Sequence, residues 1–200
     1  MLIDFWGQTT GPVHPADADA LRGVDHTFEL DHPPPAFIGH PDAPVIILLA
    51  NGGPARSGEF DEPSAAESFY AALRTGDFRL PEHHGPQRVH TWVEQKLAVR
   101  VNSVAYRSMR LSAEPHNRKV AETLPSVAVH RRWLRQVVLP AAARDEKLVI
   151  VHRSGLWGLK RGQDDTPNVI FTTNPISPHP SRAALDVAEA WLKRRGRSGA

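Results

Sequence analysis

Four short stretches of this 200-residue chain carry side chains able to orient and polarise a bound molecule: Asn51-Gly52-Gly53, Asn102 to Arg107, His152-Arg153-Ser154 and Asn174-Pro175-Ile176-Ser177. Amides and hydroxyls both donate and accept hydrogen bonds, guanidinium groups hold anions, and an aromatic such as Tyr106 offers a ring face. The chain lacks G-x-x-x-x-G-K-[ST], G-x-G-x-x-G after a strand, G-x-S-x-G and H-E-x-x-H. P-loop nucleotide hydrolysis, dinucleotide redox chemistry and the commonest hydrolase mechanism therefore have no support. With no cysteine, thiolate metal sites and cysteine-ligated iron–sulfur clusters are excluded. Of the 11 histidines, His14, His32, His40 and His179 each precede a proline, and His83-His84 lack a paired helical ligand. No metal and no cofactor are expected.

The elements that must position these stretches follow from hydrophobic patterning. Val45 to Ala50 is an unbroken apolar run between Pro44 and Asn51-Gly52-Gly53-Pro54, the pattern of a strand buried on both faces. Further strands are predicted at 99–104, 148–151 and 168–173. A capping box, Ser64 with Glu67, opens a helix over 64–75 that Gly76 ends. Trp92, Lys96 and Leu97 suggest a short helix. Pro125-Ser126 opens a longer one carrying Val129, Trp133 and Val137, which Pro140 is expected to interrupt. A closing helix spans 181–195, with Leu185, Ala188 and Trp191 on its inner face and Gly196 as its stop.

Short apolar strands separated by helices predict an α/β fold, a three-layer αβα sandwich around a central four-stranded parallel sheet. Residues 1–44, rich in Pro, His and Asp and containing Pro33-Pro34-Pro35, read as an irregular N-terminal cover. Residues 45–195 form the single α/β domain and 196–200 a tail. In an open parallel sheet, ligands sit outside the carboxyl ends of the strands, where all four polar stretches fall. Taken singly, each has a plain alternative: Asn51-Gly52-Gly53 and Asn174 as turns, Tyr106 as an ordinary partly buried aromatic.

The chain is 40% hydrophobic and 23% charged, which rules out a wholly disordered or coiled-coil protein. Lys and Arg number 24 against 22 Asp and Glu, so the net charge of +2 is small, but the cations gather in the second half. Arg131, Arg132, Arg135, Lys193 and Arg194 are the candidate contacts to a polyanion; a solvated face is the competing reading. Met1 to Trp6 carry an acid and no basic n-region, and no apolar run reaches membrane-helix length, so a soluble cytoplasmic protein with no membrane partner is expected.

Taken together, the strand ends resemble the uracil-DNA glycosylase superfamily over about residues 40 to 195. The mismatch-specific branch has Gly-Ile-Asn-Pro-Gly after its first strand, where this chain has Leu49-Ala50-Asn51-Gly52-Gly53. After the last strand that branch has Asn-Pro-Ser-Gly and most others His-Pro-Ser-Pro; here stands Asn174-Pro175-Ile176-Ser177. Arg100 to Arg107, followed by Leu124-Pro125-Ser126, is similar to poorly characterised bacterial relatives. The resemblance implies a nucleobase cleft at the strand carboxyl ends, with DNA or a nucleotide as partner and N-glycosidic hydrolysis of damaged or mismatched bases as the activity. A non-catalytic nucleic-acid or nucleotide-binding protein on the same fold is the alternative.

Cleaving an N-glycosidic bond builds positive charge on the sugar and negative charge on the departing base, so the site needs a positioned water and a donor to the base. By the resemblance, Asn51 places the water, Asn174 or Ser177 donates to the base, Gly52 and Gly53 let the backbone approach, Tyr106 stacks, and Asn102 reads the base edge. The chain departs from the family at Asn51, an amide that cannot take a proton from water, at Gly52 in place of Pro and at Ile176 in place of Ser. Hydrolysis would then be slow unless another carboxylate, such as Glu59 or Asp61, assists.

Overall fold

The computed structural model describes residues 2–54, 58–78, 86–109, 111, 114–172 and 179–196. Its centre is a five-stranded sheet in the order β1-β3-β2-β4-β5, built from β1 (Phe37–Ile38), β2 (Val45–Leu49), β3 (Ala98–Asn102), β4 (Leu148–Val151) and β5 (Val169–Phe171). Four strands run parallel, with Val45 opposite Ala98 and Leu148 and with Val149 opposite Val169; β1 lies antiparallel to β3. Every residue of β2 and of β4 is buried, as continuous Val, Ile and Leu require of strands covered on both faces.

The expected sheet had four strands, and the fifth comes from the segment expected to be irregular. A two-residue strand is too short to show alternation, so β1 left no periodic signature. The same segment contributes α1 (Leu2–Trp6) and α2 (Ala18–Leu21). Leu2 and Trp6 are wholly buried in the main core. Leu21 and Phe28 belong to a second cluster with Val104, Tyr106, Leu124 and Val127.

Helix α3 (Pro63–Thr75) begins at a proline rather than at the expected capping serine, because Pro at the first helical position costs no hydrogen bond. It ends at Gly76, whose φ of 76° only glycine adopts readily. Helix α4 (Gln87–Glu94) precedes β3, and α5 (Pro115–Thr123) leads into α6 (Pro125–Trp133). Pro140 does not stop the helix that follows. A π-turn over Leu134–Val138, closed by Leu139 N–H donating to Leu134 O, carries the chain into α7 (Leu139–Ala143). The wider turn absorbs the proline, which an unbroken α-helix would not. Helix α8 (Arg182–Arg194) is capped by Ser181, whose Oγ accepts from Ala184 N at 3.4 Å. No helix of the described residues is long and apolar enough to cross a membrane.

Candidate functional site

From β2 the chain crosses to β3 on one side, and from β4 to β5 on the other, so the sheet has its topological switch between β2 and β4. Ligands of open α/β sheets bind at the carboxyl edge near such a switch. At that edge lies a cleft of about 550 Å³, lined by Val151, His152, Arg153, Ser154, Gly155, Arg161, Phe171 and Thr172. Its size is ordinary for a small-molecule site. His152 follows β4 and Thr172 follows β5; their side chains meet at 2.9 Å, Nδ1 to Oγ1, and tie the two strand ends together. Arg161 donates to Thr172 O at 2.6 Å, and its Cζ lies 5.6 Å from the Phe171 ring centroid.

The loop after β2 is a separate construction. Asn51 Nδ2 donates to both the carbonyl and the hydroxyl oxygen of Ser108 at 2.9 Å. Because a carbonyl only accepts, this assigns the amide nitrogen to the Ser108 side and fixes the amide's orientation. Gly52 has no room for a side chain: a Cβ would come 2.5 Å from Pro35 Cγ. Gly53 has φ of 70°, in the left-handed region. Nearby, Arg107 and Glu59 form a buried ion pair at 2.5 Å, with side chains 6% and 11% exposed. Asn51 does not line the cleft, and Glu59 is committed to Arg107.

Two residues expected to meet a base are sealed inside the fold. Tyr106 is 1% exposed; its hydroxyl donates to Asp17 Oδ2 at 2.7 Å and accepts from His14 N at 3.2 Å. Burial, reinforced by Asp17, holds the phenol well above its ordinary range. Asp17, itself wholly buried, also accepts from Ser126 N at 2.9 Å, securing the start of α6. Asn102 is 3% exposed and donates to Pro35 O at 2.5 Å, while its carbonyl accepts from His130 Nδ1 at 2.8 Å. Trp6 Nε1 donates to His130 Nε2 at 2.7 Å, which fixes His130 as the neutral Nδ1–H tautomer. Burial pulls this imidazole down to about 4. Stacking by Tyr106 and edge-reading by Asn102 are therefore corrected: the N-terminal segment occupies both.

The candidate phosphate-binding cations divide similarly. Arg131 Nε donates to Leu156 O at 2.5 Å and Arg135 to Gly158 O at 2.9 Å, so these two hold the loop behind Ser154 and Gly155. Lys193 pairs with Glu189 at 2.7 Å. Arg132 and Arg194 are exposed. Asn174 and Ser177, two residues and five residues beyond Thr172, lie outside the described residues. No group of side chains suited to a metal ion occurs among the described residues.

No known protein family, curated protein or solved structure matches the chain. The cleft must therefore be read from its own chemistry. Sequence reasoning placed His152, Arg153 and Ser154 at a strand end but singled out neither Arg161 nor Phe171. Phe171 reads as a core residue of a strand, and Arg161 as one cation in a polar loop; only the sheet's geometry joins them.

Proposed function

We propose that the protein binds a nucleobase or nucleotide in the cleft at the carboxyl ends of β4 and β5, on a three-layer α/β scaffold resembling the uracil-DNA glycosylases. The observation that carries this reading is the lining itself. A partly exposed aromatic, two guanidinium groups and the Ser154 hydroxyl line the cleft at the ends of β4 and β5, while the Thr172 hydroxyl is spent on His152. Planar bases stack on aromatic and guanidinium faces, and hydroxyls hydrogen-bond to base edges.

Excision is the second reading, and the pinned amide of Asn51 favours it, since an amide fixed through its nitrogen keeps its oxygen as an acceptor that could anchor a water. Against efficient excision stand the commitment of Glu59 to Arg107 and the position of Asn51 outside the lining of the cleft. We therefore expect binding with weak or absent hydrolysis. Oligonucleotides bearing uracil, hypoxanthine, xanthine or mismatches, scored for abasic sites alongside equilibrium binding of nucleosides, test both readings. Asn51→Ala should abolish any excision, and Asn51→Asp should raise it roughly 10²-fold or more, because a carboxylate accepts a proton as well as anchoring water. An excision rate unchanged by Asn51→Ala would remove Asn51 from the site; absence of binding by every base-bearing ligand would sink the proposal as a whole.

A further inference from the structure

Among the described residues, the cleft is lined by two guanidinium side chains and no carboxylate. The acids closest in sequence turn away onto their own loop. Asp164 Oδ2 accepts from Lys160 N at 2.7 Å and Asp165 Oδ2 from Gly162 N at 3.1 Å. Cations on the wall of a concave site, backed by Val151 and Phe171, focus a positive potential into it. Ser154 and the backbone at Gly155 add short-range donors of the kind that oxyanions accept from.

Arg161 is held by both its edge and its face. One N–H is spent on Thr172 O, and Phe171 backs the guanidinium plane. Its other N–H groups make no further hydrogen bond to the described residues, and Arg161 is exposed. A guanidinium fixed in this way is a platform for a flat ring, because base planes stack on arginine as they do on aromatics.

The geometry points to a nucleoside monophosphate unit as the ligand of this cleft, with its base on the Arg161 face opposite Phe171 and its phosphate on Arg153 and Ser154. This rests on the nucleotide-binding reading above and narrows it from a neutral base to a phosphate-bearing one. The unit is chemically the same whether it is a free mononucleotide or one residue of a strand. It also gives the stacking role once expected of Tyr106 to a pair of residues that the fold leaves accessible.

Calorimetric titration of the full chain with uridine and adenosine, their 5′-monophosphates, inorganic phosphate and a thymidylate pentamer decides the matter. The monophosphates should bind about tenfold or more tightly than their nucleosides, the gain of one or two charge-assisted hydrogen bonds, and more tightly than phosphate alone. Arg153→Met should bring a monophosphate down to the affinity of its nucleoside, with Arg153→Lys restoring part of the difference. Arg161→Lys keeps the charge but loses the plane, so it should weaken nucleoside and monophosphate alike, by about tenfold. A pentamer tighter than the monophosphates assigns the unit to a strand; a weaker one assigns it to the free nucleotide; either result supports the inference. Nucleosides binding as tightly as monophosphates would overturn it while leaving the nucleobase reading intact. Phosphate binding as tightly as the monophosphates would overturn the stacking platform. If no nucleoside and no nucleotide binds, the nucleotide-binding reading fails as well.

Discussion

Two polar regions stand at the carboxyl edge of one sheet, and they do opposite things. After β3, Asn102, Tyr106, His130 and Asp17 form a buried network whose members largely satisfy one another. After β4 and β5, His152, Arg153, Arg161 and Thr172 line an open cleft. Both regions hold the residue types that a binding site needs. What separates them is coverage: α1, the turn at Pro15–Asp17 and the prolines before β1 close the first, and nothing comparable in the described residues closes the second. Polar groups at strand ends become a site only where the rest of the chain leaves them exposed.

The largest effect that tests this contrast is on stability. Asp17→Ala would strand two buried donors, the Tyr106 hydroxyl and Ser126 N–H, at a cost of about 3 kcal/mol. Thermal unfolding should then move down by about 10 °C, while the folded protein keeps its affinity for nucleotide. Loss of binding by a folded Asp17→Ala protein would join the two regions that we separate.

Acid should weaken the sealed region. His130 titrates near 4 in the fold but near its ordinary 6.5 in the unfolded chain. Below pH 6.5 the unfolded state therefore takes up a proton that the native state refuses. Stability is unaffected above about pH 7.5 and falls by about 1.4 kcal/mol per pH unit towards pH 4. Unfolding free energies from urea titrations at pH 7.5 and pH 5 should differ by about 2 kcal/mol more for the native chain than for His130→Asn, and equal differences would show that the network tolerates the charge.

A smaller effect sharpens the other side. If Arg131 and Arg135 serve the cleft by holding its loop, replacing both with Met should weaken nucleotide binding several-fold while shifting Tm by only about 2 °C. Smallest of all is the contribution of exposed Arg132 to any strand binding. Its removal should lower the salt dependence of affinity by about one unit, and removing Arg135 should lower it by less. Equal changes would return both cations to the phosphate-contact role.

How much was legible in the sequence follows the range of the interaction that decides each feature. Val45 to Leu49 and Leu148 to Val151 announce buried strands through their own composition, and Gly76 ends its helix through local backbone freedom. The π-turn ahead of Pro140 left no local mark, so the helix looked broken where it is continuous. Tyr106 was misjudged because its exposure is set by Asp17, 89 positions away. Arg161 and Phe171 escaped notice for the converse reason, since the closeness that gives them meaning exists only once β5 is seated beside β4.

Trp157 gives the switch between β2 and β4 its character. It comes from the loop after β4, donates through Nε1 to Leu49 O at 2.8 Å, stacks at an interplanar angle of 11° with His130, and is wholly buried. The crevice in which other open sheets seat a ligand is thus already tenanted by the protein's own indole. Emptying it by Trp157→Gly would leave a hollow shaped for a bicyclic ring, with the Leu49 carbonyl, still held by Ser103 N at 3.0 Å, as an acceptor at its end. Such a hollow should take up free indole from solution, with recovery of the lost stability, much as other carved apolar cavities accept small aromatics. The native tenant explains why the accessible cleft opens one strand further along the edge.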